Sequence, residues 1–370
     1  MTSSLKRFHI KGLWSLRDVD LSDLGPTTVL IGPNGSGKSN ILKAIELVRR
    51  LAYDGLESFV TLHGGASFLM HYGPKVTPVV ELTLEFATDG GENAYTCRLG
   101  YAAGESLIFL EESTGFRRNG KADWRWTSLG AGHRESHLKE ASGQDPKVKT
   151  IGWLLRHLNF YHFHDTSRSS ALRTNARRDD DRYLRSDGSN LAAYLFALKQ
   201  SQAAEDKGSY ERIEHMVARI APFVRALDPT PVNGAAVRLD WLDDHAETFG
   251  PSALSDGTLR AIALFTALGQ PVKHLPMFSV IDEPELGLHP AALHLFCELV
   301  RSASAHGQVM LATQSPALID HFEPSEVRVA ERIDHATQIG KPLDPQALAS
   351  WLDDFSLSEL YDKNIFGGRP

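Results

Sequence analysis

Thr28-Val29-Leu30-Ile31-Gly32-Pro33-Asn34-Gly35-Ser36-Gly37-Lys38-Ser39 is the stretch whose reading decides this chain. Its last eight residues fit G-x-x-x-x-G-K-[ST], the pattern of a loop that cradles phosphates. The apolar residues before it read as a buried strand, and Asn40-Ile41-Leu42-Lys43-Ala44-Ile45-Glu46-Leu47 after it reads as a helix. Strand, glycine loop and helix N-terminus is the context the motif needs. Glycines let the backbone wrap a polyphosphate, while free N–H groups and the helix dipole favour its charge. Gly32, Pro33, Asn34, Gly35, Ser36, Gly37, Lys38, Ser39 and Asn40 are therefore expected to line a nucleotide site. Lys38 would reach the β and γ phosphates, and the Ser39 hydroxyl would ligate Mg2+.

A P-loop alone suits kinases, GTPases and many ATPases, so a second element has to narrow the class. Phe278-Ser279-Val280-Ile281 is an apolar strand that ends in two adjacent acids, Asp282 and Glu283. Asp282 is expected to hold Mg2+ opposite Ser39, and Glu283 to orient or deprotonate an attacking water. A strand that merely ends in a charged turn is the plainer alternative, which the P-loop weighs against. Leu254-Ser255-Asp256-Gly257-Thr258 opens a helix. Ser255 and Gly257 form either a second anion site or an ordinary N-cap there. The order P-loop, Leu-Ser-x-Gly, Asp-Glu favours the anion site.

Composition excludes several classes. The chain has 370 residues, 42% of them hydrophobic, enough for a substantial core. A formal net charge of −7 supplies no global field for nucleic acid, so any DNA contact must be local. Cys97 and Cys297 are too few for a disulfide framework. No apolar run reaches transmembrane length, and Met1-Thr2-Ser3-Ser4-Leu5-Lys6-Arg7 leads into a strand rather than a signal-peptide core. A cytoplasmic protein without membrane contact is expected.

Along the chain, Phe8-His9-Ile10 and Val19-Asp20-Leu21 read as short strands, and residues 77–112 as an antiparallel meander. Residues 113–146 read as polar loop. Helices are expected at 148–158, 188–200 (with Asp187 as N-cap), 209–225, 257–268, 290–304 and 345–352, and a strand at 308–312. No repeat or heptad run appears. The fold expected is α/β. A nucleotide-binding lobe would comprise 1–150 and 270–370, and a mostly helical lobe, 151–269, would carry the Leu-Ser-x-Gly helix.

These motifs resemble those of the ABC-type ATPases, in particular the SMC/RecF-like branch. Asp282-Glu283-Pro284-Glu285-Leu286-Gly287-Leu288-His289-Pro290, Ala312-Thr313-Gln314-Ser315-Pro316, Tyr161-His162-Phe163-His164-Asp165 and the Gly367-Gly368-Arg369-Pro370 tail look like the stand-alone AAA-type ATPases related to the ATPase half of OLD-family proteins. The resemblance implies a P-loop NTPase head without a coiled coil, binding ATP and Mg2+ and hydrolysing ATP. It implies that two heads sandwich two ATPs, as a homodimer or within a higher oligomer. Ser255 and Gly257 of one copy would then meet the γ-phosphate held by Lys38 of the other. The Glu285–Pro290 stretch would cross that interface. Gln314 stands where many relatives have a switch histidine and would sense the γ-phosphate through its amide. No Q-loop glutamine is evident, and His63 is either a γ-phosphate or interface contact or an ordinary loop histidine. The stretch after Pro316 is too short for a TOPRIM nuclease domain, so a nuclease or toxin effector would be a separate chain. Anti-phage defence is the role the resemblance implies. RecF-like DNA repair and a non-hydrolysing ATP-sensing scaffold are the alternatives.

Weaker signals remain. Arg168, Arg173, Arg177, Arg178, Arg182 and Arg185 lie in a stretch expected to be a mobile loop, either a DNA-phosphate contact or a solvated lid or partner-protein surface, with Asp179-Asp180-Asp181 offsetting the charge. His133 and His137 have helical spacing but no evident acidic partner. His162 and His164 suggest one face of a strand, and Trp124 and Trp126 suggest packing.

Overall fold

The computed structural model describes residues 3–143 and 145–368. The tail residues Arg369 and Pro370 lie outside the described residues, as do Met1 and Thr2. In chain order the strands are β1 (Ser4–Leu13), β2 (Leu16–Ser22), β3 (Thr27–Ile31), β4 (Val79–Thr88), β5 (Gly91–Ala102), β6 (Ser106–Arg118), β7 (Arg125–Gly130), β8 (Leu158–Tyr161), β9 (Ala176–Arg177), β10 (Ala226–Val232), β11 (Ala236–Leu242), β12 (Thr248–Phe249), β13 (Phe278–Asp282), β14 (Gln308–Thr313), β15 (Val327–Ile333) and β16 (Ala336–Ile339). The helices are α1 (Lys38–Leu51), α2 (Leu56–Leu62), α3 (Ala66–Leu69), α4 (Leu138–Ala141), α5 (Pro146–Arg156), α6 (Leu191–Gln200), α7 (Ala204–Ile220), α8 (Asp256–Gly269), α9 (Pro290–Ser304), α10 (Pro316–Ile319), α11 (Pro345–Leu352) and α12 (Leu357–Asp362).

Two compact units emerge. The first comprises Met1–Phe160, Pro276–Val280 and Met310–Pro370, and the second Tyr161–Leu275 and Ile281–Val309. The first contains the antiparallel sheet β2-β1-β4-β5-β6-β7. The meander is longer than the sequence suggested. β6 runs to Arg118 and β7 follows, across a stretch expected to be loop. A second sheet has the order β16-β15-β3-β14-β13-β8, with β15 parallel to β3 and antiparallel to β16. The core of this unit joins Ile41, Leu42, Ile45 and Val48 of α1 to Val148, Ile151 and Leu155 of α5 and to Phe8, Leu82 and Leu84 of the antiparallel sheet. Each such side chain contributes about 1.5–3 kcal/mol of apolar burial.

In the same unit, Glu112 is wholly buried. It accepts from Tyr95 Oη (2.7 Å), Ser136 Oγ (2.5 Å) and the His137 backbone N–H (3.0 Å), and lies 3.0 Å from His133 Nε2. The acidic partner of His133 thus arrives from β6 rather than from the neighbouring Glu135. His133 lies ahead of α4 and His137 caps it, so their spacing is not that of one helix; the rings stack 3.9 Å apart.

The second unit is built on α8, whose residues from Leu259 to Gly269 are all buried. A helix surrounded on every side must be nearly all apolar. α7 and α9 cover it, with Ile213 and Leu299 lying against Gly269. The hairpin β10–β11 adds an antiparallel sheet, extended by β12 and β9, that the sequence reading did not include. Pro229 and Pro231 sit within β10, which among the described residues pairs only with β11 and therefore loses no ladder bond on its free edge. α7 begins at Ala204, earlier than expected. Asn190, not Asp187, precedes α6, while the Asp187 carboxylate accepts from Ser189 N at 3.0 Å. α7, with 17 residues, is not followed by any coiled-coil arm among the described residues, and no described helix is long and apolar enough to cross a membrane.

His157 in the first unit and His274 in the second both titrate below their ordinary 6.5, chiefly because burial disfavours the imidazolium. A depressed folded-state value means that stability is present above pH 6.5 and is lost as the pH falls below it. Thermal midpoints are expected to decline on acidification from pH 6.5 toward 5. His274→Gln, which cannot charge, is expected to decline less steeply than the wild type.

Candidate functional site

In the first unit, every residue of β3 is buried. The chain leaves it at Gly32 and enters α1 at Lys38, with Gly37 as N-cap at φ 99°. Only glycine suits Gly37, for two reasons. The φ is left-handed, and a Cβ there would lie 1.8 Å from Thr337 Oγ1 and 2.7 Å from Ser15 Oγ. The first turn of α1 carries no acidic residue, so its N–H groups are not opposed by a local carboxylate. Lys38 is 5% exposed. Its Nζ donates to Gly32 O (2.6 Å), Pro33 O (3.0 Å) and Ser36 Oγ (3.4 Å), curling the loop around the ammonium. Asn34 and Gly35 form the exposed rim. Asn40 donates from Nδ2 to Ser15 Oγ at 2.8 Å, and Ser15 Oγ meets Thr337 Oγ1 at 2.6 Å. That chain braces the loop against the β1–β2 turn and β16. Ser39 lies at the second position of α1, half-buried. Gln314 follows β14, the sheet neighbour of β3, with Ser315 N donating to Thr313 Oγ1 (2.9 Å). His63 caps α2: Nδ1 contacts Phe59 O (2.9 Å) and its ring lies 4.2 Å from Phe59, which makes it a packing residue.

In the second unit, Asp282 ends β13 and its side chain is 13% exposed. Glu283 follows with φ 42°, a left-handed backbone that is uncommon for a glutamate. The turn closes through Leu286 N–H to Glu283 O (3.2 Å) and Leu288 N–H to Glu285 O (3.0 Å). Ser255 is the N-cap of α8; its Oγ accepts from Thr258 N (3.2 Å) and meets Thr258 Oγ1 (2.8 Å). Within one chain, therefore, Ser255 performs the capping role. Gly257 has its own local reason: a Cβ there would lie 2.3 Å from Gly287 O, so the turn after Glu283 rests directly on the start of α8.

Sequence reading gave two residues here no role at the site. Arg260 is buried and donates to Phe163 O (Nε, 2.8 Å), Leu286 O (Nη1, 2.5 Å) and His164 Nδ1 (Nη2, 3.0 Å). His164 lies past the end of β8, not on a strand, with Nε2 3.9 Å from Asp282 Oδ2. Burial, then the Arg260 charge, lowers the His164 value below the ordinary 6.5, with the Glu283 charge opposing. One signal was visible: Arg260 is the single charged residue in Leu259–Gly269.

The arginine-rich stretch 168–185 has an anchor outside itself. Arg173 donates to Pro251 O, Leu254 O and Asp256 Oδ1, bolting this stretch to the approach of α8. Arg177 pairs with Asp179, and Arg185 with Asp180. Trp126 is 51% exposed and Trp124 tilts against it at 5.7 Å, both over Gly115.

Residues 27–320 match the family model described as "AAA domain, putative AbiEii toxin, Type IV TA system". The chain belongs to that family. The OLD nuclease of Thermus scotoductus is 24% identical over 402 residues, spanning 99% of this chain and 68% of that protein. The Smc head bound to the C-terminal winged-helix domain of ScpA superposes with a TM-score of 0.60 at 15% identity, covering 94% of this chain and 99% of that one. The Smc head with an extended coiled coil bound to the C-terminal domain of ScpA, from Pyrococcus furiosus, gives 0.58 at 14% identity, covering 95% and 99%. This AAA domain thus has the P-loop fold of the Smc heads and is similar along nearly its whole length to an OLD nuclease.

Gly257→Ala is expected to lower stability by about 1–3 kcal/mol, because the overlap is with backbone that cannot rotate away. Thermal unfolding measures it, with Gly188→Ala, at a positive-φ glycine elsewhere in the unit, for comparison. An unchanged midpoint for Gly257→Ala would remove the close packing described.

Proposed function

We propose that this AAA domain binds ATP with Mg2+, hydrolyses it, and through ATP-dependent pairing of two copies regulates an effector partner or a DNA-directed process in anti-phage defence. The observation that carries hydrolysis is Glu283. A carboxylate follows Asp282 at the end of a buried strand, on left-handed backbone, in a turn held by Arg260. Strain of this kind gathers at functional positions.

The donor chemistry fits Mg2+. Ser39 and Asp282 offer hard oxygens, and Mg2+ favours one or two such ligands with water and phosphate completing the octahedron. Among the described residues no group of three or more His, Cys, Asp or Glu forms an all-protein metal cage. When bound, Mg2+ would screen the phosphate charge. The P-loop N–H groups would bind the phosphates, and Lys38 would exchange its bonds to Gly32 O and Pro33 O for phosphate oxygens. Glu283 would take a proton from the attacking water. Gln314 would hydrogen-bond the γ-phosphate through its amide. Ser255 and Gly257 would approach the nucleotide of the second copy, the α8 N-terminus supplying N–H groups.

Similarity to an OLD nuclease and the family's toxin–antitoxin description support a defence role that involves a nuclease or toxin activity. The Smc heads, solved with a bound ScpA domain, support a protein partner. A DNA phosphate at 168–185 would have to compete with the ion pairs that Arg173, Arg177 and Arg185 make with Asp256, Asp179 and Asp180.

Glu283→Gln is expected to lower ATP turnover about 10²–10⁴-fold while leaving nucleotide binding intact. With Mg-ATP its mass by light scattering is expected to double, and Lys38→Ala is expected to abolish the doubling. Full turnover in Glu283→Gln would dismiss Glu283 as the base, and a monomer in every state would dismiss the paired site.

A further inference from the structure

Arg260 is a cation on a helix otherwise built of neutral side chains from Leu259 to Gly269, all of them buried. Burying a charge is costly unless each donor finds an acceptor. A guanidinium has five donors and no acceptor, in a fixed planar fork. Here the fork makes three contacts to two separate stretches of chain: Phe163 O at 2.8 Å and His164 Nδ1 at 3.0 Å in one, and Leu286 O at 2.5 Å in the other. Leu286 lies in the turn that follows Glu283, and Gly287 of that turn also rests on Gly257. The same side chain therefore joins the Ser255–Gly257 end of α8, the turn carrying Glu283, and the loop carrying His164.

The contact with His164 has a chemical consequence. Arginine can only donate, so Nδ1 of His164 must accept, and in a neutral imidazole the proton then sits on Nε2. Nε2 faces Asp282 Oδ2 across 3.9 Å, too far for a hydrogen bond and near enough for an oxygen beside Asp282 to take one.

We infer that Arg260 is a positioning residue: it locks the turn after Glu283 to α8 and fixes His164 as an Nε2–H donor directed at the space beside Asp282. Its effect on turnover rests on the ATPase reading above, whereas the tautomer does not. Lysine cannot replace it, because an ammonium is a point donor without the fork.

The test uses the full chain labelled with [15N]histidine, with His164 assigned by its loss in His164→Ala. Long-range 1H–15N correlation is expected to show the Nε2–H tautomer in the wild type and a mixture of tautomers in Arg260→Lys and Arg260→Gln. If the Gln variant does not fold, the Lys variant, which keeps charge and length, carries the comparison. In ATP turnover, Arg260→Lys and His164→Ala are each expected to lower kcat about 10–100-fold with KM little changed. The double variant is expected to be no slower than the slower single one. His164→Gln, which keeps an N–H near the Nε2 position, is expected to recover part of the loss. A mixed tautomer in the wild type, a tautomer indifferent to Arg260, or losses that multiply in the double variant would each overturn the inference. Should the wild type lack turnover, the ATPase reading fails and the tautomer alone decides this one.

Discussion

A lysine ammonium at 5% exposure must find acceptors, and the first unit is organised to provide them. Lys38 takes Gly32 O, Pro33 O and Ser36 Oγ. For those oxygens to converge, the chain has to reverse tightly between β3 and α1. That reversal brings Gly37 against Thr337 and Ser15, so β16 and the β1–β2 turn must sit where they do. Removing this one charge would leave two carbonyls and a hydroxyl facing each other in a nearly closed loop.

The second unit answers a related demand with a different cation. Arg260 is held by carbonyls and a ring nitrogen, and Arg173 by Pro251 O, Leu254 O and Asp256. Both arginines fasten the two sides of the α8 N-terminus. Ser255 and Gly257 are thus presented on a braced end, while most of the helix behind them is buried in apolar contacts.

What could be read from the sequence was what local chemistry determines. The strand–loop–helix around Lys38 and the apolar strand into Asp282 declare themselves within a dozen residues, and α8, α9 and α11 follow from apolar spacing and caps. What escaped depends on distant partners. Pro229 and Pro231 argue against a strand until one knows that β10 has an edge free of pairing. His133 looked solitary because Glu112 reaches it from another strand. His164 looked like an alternating strand residue because nothing nearby in sequence announces Arg260. The arginines after Arg168 suggested a mobile, phosphate-seeking loop, yet several have acceptors within their own unit. Similarity to Smc heads at 14–15% identity makes the same point: few residue identities are needed to keep this fold.

The left-handed backbone at Glu283 sets chemistry against durability. At φ 42° an asparagine or glycine would rest more comfortably than a glutamate. The sequence that holds this turn most easily is therefore not the one with a carboxylate beside Asp282. Evolution under heat alone, with no demand on activity, would tend to trade Glu283 away early, whereas wholly buried Phe265 or Leu264 would stay.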